Sequence, residues 1–150
     1  YWEPLENDLR NAREMIWISS ASLSIRTIHQ LAKAISSNSQ DLKSKLLIAP
    51  HKYLVETCSD KPELTIKMND IVKQLLFSTQ PSVNIHCNAV IIDQRILWYG
   101  SLAPLGFGNE KDSIMRIESP KLSIDMQSIL IDNRLINDPS MTPGNFNADT

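Results

Sequence analysis

The segment 85–101, IHCNAVIIDQRILWYGS, constrains the fold more than any other part of this chain. Two short apolar runs, 89–92 and 96–99, flank Asp93-Gln94-Arg95, and β-branched residues crowd the first run. Runs of this length around a polar turn read as two adjoining antiparallel strands. Such pairing brings the start of the first strand and the end of the second to the same edge of a sheet. His86 stands at that start and Gly100-Ser101 at that end, so an imidazole and a hydroxyl are expected at one rim. Cys87 follows His86 and points to the other face of a strand, where packing is its expected role.

The rest of the chain alternates helical and extended patterns. A helix is expected over residues 3–13, with Pro4 in its first turn, then a strand over 15–19. Ser22 or Ser24 is suited to cap a helix over 23–36, and a second strand follows at 45–49. This helix–strand–helix–strand order argues for parallel strands joined by helical crossovers. Residues 51–62 show no clean period and read as a loop. A helix is expected over 63–77 with Ile66, Ile71, Val72, Leu75 and Leu76 inward, broken at 78–81. Strands are expected at 83–85, 89–92, 96–99 and 113–118, with a loop over 102–111. Ser119-Pro120 starts a last helix to about residue 133, with Leu122, Met126, Ile129 and Leu130 on its apolar face. The fold class is therefore α/β, a mixed central sheet flanked by helices. One domain over 1–137 and a tail or linker over 138–150 are expected.

Composition narrows the partners. A chain of 150 residues, 42% hydrophobic and 21% charged, is ordinary globular material for one core. Its formal net charge of −2 argues against a broad basic surface. Contact with nucleic acid, if made, is expected to be local or shared with another domain. There is no apolar run long enough to span a membrane and no zinc-type ligand spacing. Cys58 and Cys87 form no disulfide framework, which fits a reducing, cytoplasmic setting. The chain opens on Tyr1 with no signal peptide, and is expected to be cut from a longer protein with further domains.

His86, Asp93, Gly100 and Ser101 fall at the spacing of the phospholipase D superfamily motif, H-x-K-x-x-x-x-D followed after six intervening residues by G-S-x-N. The chain resembles that superfamily, and the stretch from Asp112 to Pro120 resembles the phospholipase D-like domains attached to bacterial helicases and nucleases. Two motif positions differ: Asn88 stands for the lysine and Ala103 for the asparagine. The resemblance implies a histidine nucleophile that attacks a phosphodiester and holds a phosphohistidine, with no metal or other cofactor. It implies His86 as nucleophile or acid and Ser101 as a donor to phosphoryl oxygens. Asp93 would hold the strand geometry, and Asp112 would orient the histidine. Asn88, Gly100 and Lys111 would line the substrate. One motif copy per chain implies a homodimer that brings two histidines together across a two-fold axis.

The two departures weigh on activity. Removing one preorganised oxyanion donor costs roughly 3–4 kcal/mol, or about 100- to 1,000-fold in rate. The expected function is thus a degenerate phospholipase D-like domain of a larger helicase- or restriction-type protein. It would act in docking DNA phosphates, dimerisation, or both, with DNA favoured over RNA and no membrane partner. The alternative is a metal-independent nuclease active as a homodimer. Blander roles are expected elsewhere: His29 and His51 at the surface, Trp17 in the core, and at least one of Trp98 and Tyr99 buried, the other available to stack a base. Lys61, Glu63 and Lys67 read as a solvated face, and Gly106-Phe107-Gly108 is too short for a nucleotide loop.

Overall fold

β1 (Met15–Ser19) is buried along its whole length, and that burial organises the molecule. In the computed structural model, residues 1–54, 61–82, 87–106 and 111–137 are described, the last five by backbone alone. The expected strand at 83–85, His86 and the tail at 138–150 lie outside the described residues. β1 pairs in parallel with β2 (Ser44–Pro50), and β2 pairs in parallel with β3 (Ser78–Ser82). On its other side β1 runs antiparallel to β4 (Asn88–Ile92), then β5 (Ile96–Gly100) and β6 (Ile114–Glu118) continue antiparallel. The result is a mixed six-stranded sheet of order β3-β2-β1-β4-β5-β6.

Apolar residues at every position of the central strands serve two faces, because successive side chains alternate across a sheet. Ile16, Ile18, Leu47, Ala49, Val90, Ile92 and Trp98 face α1 (Trp2–Arg10), α2 (Ile25–Ser36) and α4 (Pro62–Gln74). Met15, Trp17, Leu46, Ile48, Ala89, Ile91 and Leu97 face α5 (Pro120–Asn137) through Met126 and Leu130. Ser24 caps α2, its hydroxyl accepting from the Thr27 N–H, and the Ser119 hydroxyl accepts from Leu122 N–H at the start of α5. Asp8 of α1 is buried, and its carboxylate receives the Trp98 indole N–H at 2.9 Å and the Arg116 guanidinium at 2.7 Å. That bond locks α1 to β5 and β6. Asp8, and after it Glu118, raise the Arg116 guanidinium above its already high range.

Several sequence expectations are corrected. Residues 51–54 form a one-turn helix, α3 (His51–Leu54), where a loop was expected. α4 stops at Gln74, because Leu76 turns into the left-handed region at φ 62° and redirects the chain. Ser78-Thr79-Gln80-Pro81 is β3, not a break. It is an edge strand, where a proline costs no ladder bond to a further neighbour. Ile66 and Leu76 are exposed, and Thr65, Met68 and Val72 are the buried face of α4. On α5 the buried side chains among the described residues are Ser123, Met126 and Leu130, while Leu122 and Ile129 are each 44% exposed. Val72, Met126 and Leu130 are buried as expected, but with apolar side chains around more than one face, periodicity misplaced Ile66, Leu76, Leu122 and Ile129. Trp17 and Trp98 are buried and Tyr99 is exposed, and His29 and His51 lie at the surface. Among the described residues no helix is long and apolar enough to cross a membrane.

Candidate functional site

Strand directions collect the polar chemistry at one rim. β1, β2, β3 and β5 end there, while β4 and β6 begin there. Next to β1 the sheet passes from parallel to antiparallel neighbours. In α/β sheets the crevice beyond the strand ends at such a switch is where ligands bind. The register Asn88↔Gly100 brings the start of β4 beside the end of β5, as the hairpin pattern predicts.

Ser101 follows β5 and is exposed, and its hydroxyl oxygen accepts the Ser113 N–H at 3.1 Å. That bond draws the start of β6, with Asp112 and Lys111 just before it, to the same corner. Lys111 is exposed and Asp112 half-buried. Gly100 is required here by close approach. A Cβ on it would lie 2.1 Å from the Ser113 carbonyl oxygen and 2.7 Å from the Ile114 Cα.

Asn88 is a crosslink. Its side-chain oxygen accepts the Ala21 N–H at 2.9 Å, and its amide nitrogen donates to the Ser101 carbonyl at 3.2 Å. One side chain thus ties the β1–α2 connection to the end of β5. Ser19 adds a bond from its hydroxyl to the Cys87 carbonyl at 2.7 Å. Cys87 itself packs against the α5-side cluster, and burial pushes its thiol up, away from the thiolate a nucleophile needs. Ala103 is 5% exposed, buried behind the rim.

Asp93 is at the other end of the sheet. It follows β4, roughly 16 Å from Asn88 at about 3.3 Å per residue. Its carboxylate accepts the backbone N–H groups of Arg13, Glu14 and Met15 at 2.7–3.1 Å. So it anchors the entry to β1, and the structure does not bring it to Ser101. Arg95 shares that far rim.

The site as described therefore unites Asn88, Gly100, Ser101, Lys111 and Asp112, with Asp93 apart and His86 outside the described residues. Sequence reasoning missed the seam behind it. The Ser24 N–H donates to the Leu105 carbonyl at 2.8 Å, and the Leu105 N–H donates to the Ser20 hydroxyl at 3.1 Å. Gly106 abuts Ser22 so closely that a Cβ would overlap its hydroxyl at 1.8 Å. The serine-rich run 19–24 was the available signal, but its partners lie some eighty positions away in the chain. Among the described residues no cluster of three or more His, Cys, Asp or Glu side chains could hold a metal ion.

By sequence, no protein-family model and no curated protein matches this chain. By structure it is similar to Nuc from Salmonella typhimurium, a phospholipase D family member, at 12% identity and a TM-score of 0.64, covering 87% of this chain and 84% of that one. It is similar to polyphosphate kinase from Porphyromonas gingivalis at 10% identity and a TM-score of 0.67, covering 94% of this chain and 25% of that one. It is also similar to TrmBL2, an archaeal chromatin protein with a novel mode of DNA binding, at 11% identity and a TM-score of 0.58, covering 87% of this chain and 46% of that one. The chain has the phospholipase D fold. Those neighbours differ in what they do, so the fold leaves the function to be argued from the rim.

Proposed function

We propose that this chain is a degenerate phospholipase D-like domain that docks nucleic-acid phosphate at the Ser101 rim, within a larger nucleic-acid-processing protein. The observation that carries the reading is the state of Asn88. Where the superfamily motif has a lysine, this side chain makes two bonds within the fold and brings no charge. The buried Ala103 supplies no donor at the asparagine position. What remains is modest and local. The Ser101 hydroxyl is exposed and accepts from the Ser113 N–H, and its O–H is a donor suited to a phosphate oxygen. Asn88 keeps a second amide hydrogen, and Lys111 adds a cation at the same corner. These suit holding a phosphate more than stabilising a pentavalent transition state.

The exposed apolar side chains of α5, Leu122 and Ile129, support dimerisation as a second role. The alternative reading, a metal-independent nuclease working as a homodimer through His86, rests on the retained motif spacing.

Incubating the chain with labelled DNA in chelator, beside His86→Ala, separates these readings. The expected result is intact DNA with both proteins. Cleavage by the original chain that His86→Ala abolishes overturns the docking reading in favour of the nuclease. Asn88→Lys is expected to cost about 1–2 kcal/mol of stability, because two bonds holding the rim are lost. Urea unfolding measures that cost, and a change below about 0.5 kcal/mol, the range of ordinary surface substitutions, contradicts the crosslinking role.

A further inference from the structure

We infer that a second cleft on the same rim, between the N-terminal ends of α1, α2 and α4 and the short α3, binds one nucleotide unit. The base would stack on aromatic side chains and the phosphate would meet a cationic edge. The cleft has a volume of about 680 Å³, within the range of small-molecule sites. Neither this inference nor the docking reading requires the other.

Three features of the cleft act together. Tyr1 and Trp2 form one wall, their rings edge to face at 88° with centroids 6.3 Å apart. Tyr53 is half-buried across from the α2 end, with the Lys52 ammonium 5.1 Å from its ring centroid. Leu23, Leu64 and Met68 supply apolar surface beneath. A flat ring is the ligand shape such walls accept, and base–aromatic stacking does not depend on base identity.

Charge then selects among flat ligands. Arg26, Lys52 and Lys61 line the cleft, and no carboxylate does among its described lining residues. A phosphate-bearing aromatic meets the Arg26 and Lys52 cations at that edge. Gln30 also lines the cleft and offers both a donor and an acceptor to a base edge. The chain as a whole carries a net charge of −2, so a cleft whose described lining residues include no acid is a departure from its surroundings.

The cleft is also connected to the docking rim. Gly106, in its wall, lies on the same β5–β6 connection as Ser101. The β1–α2 connection has Ala21 bonded to Asn88 at one end and Ser24 lining the cleft at the other. A nucleotide could therefore arrive free or as the end of a strand.

Calorimetric titration with AMP, inorganic phosphate and a 5′-phosphorylated trinucleotide tests this. Nucleotide is expected to bind at least about fivefold more tightly than phosphate, the low end of one stacked base. Tyr53→Ala and Lys52→Glu are each expected to weaken nucleotide binding about fivefold or more, and Lys121→Ala, on α5 at the other face of the sheet, to leave it unchanged. Lys52 is exposed, so its variant retains the fold, and a thermal melt checks both proteins. Tighter trinucleotide binding identifies a strand end, and tighter AMP binding a free nucleotide; either supports the cleft. Absence of binding by both, or binding untouched by Tyr53→Ala and Lys52→Glu, overturns it. Binding lost only in Ser101→Ala places the nucleotide at the docking rim, which sinks the cleft and spares the docking reading.

Discussion

Asp93→Ala is expected to lower stability by about 3 kcal/mol, since several backbone donors lose a charged acceptor at once. Arg13, Glu14 and Met15 all donate to that one carboxylate. Asp93 also adopts φ 57°, a left-handed conformation that alanine enters at a cost of about 1–2 kcal/mol. Both effects act on the same link, the joint between the β4–β5 turn and the entry to β1. For a domain of this size the melting temperature should fall by about 10 °C. Asp93→Asn tolerates the same backbone conformation and keeps one acceptor oxygen, so about half the loss is expected. Loss of no more than about 0.5 kcal/mol in Asp93→Ala, the scale of a surface change, contradicts the anchoring role.

Gly100→Ala should be comparably damaging for a different reason. Its Cβ would meet backbone atoms of Ser113 and Ile114, at 2.1 Å and 2.7 Å. A flexible side chain can step aside, but here two paired strands must separate. Overpacking of this kind costs about 1–3 kcal/mol and sometimes more, and contact with backbone puts this case at the upper end. The register Gly100↔Ile114 and the bond from Ser113 N–H to the Ser101 hydroxyl should loosen together. Amide exchange reads this directly: Ile114 and Ser113 should lose protection beyond the global loss seen in urea unfolding. Unchanged protection at both, with stability intact, contradicts the close-approach account.

These two residues also illustrate what the sequence could reveal. The glycine–serine corner and the hairpin around Asp93-Gln94-Arg95 were legible, because they follow from strand period and turn chemistry, which are local. The central strands were legible too, as apolar runs buried on both faces. What Asp93 does was not. Its partners at 13–15 lie some eighty positions earlier, and a carboxylate in a turn carries no mark of which distant N–H groups it will meet. Asn88 is a similar case, since a replaced lysine reads as a loss and only the structure shows what the amide holds. β3 was misread because Ser78-Thr79-Gln80-Pro81 has turn composition, and parallel pairing with β2 overrode it. The buried stripe of α5 was read correctly at Met126 and Leu130 and misread at Leu122 and Ile129, because Leu122, Ile124, Ile129 and Ile131 leave apolar groups on several sides.

The central claim, that the Ser101 rim holds nucleic-acid phosphate without cutting it, is tested most directly by fluorescence anisotropy of an end-labelled single-stranded DNA in chelator. The account predicts a rise with protein that stays constant over time. It should carry a shallow salt dependence, a log–log slope of about −1 to −2, as befits a few phosphates. Lys111→Glu should weaken the binding at least about fivefold, the effect of reversing one charge at a local contact. No rise at low salt, or a rise that decays as the strand is cut and stays steady in His86→Ala, contradicts it.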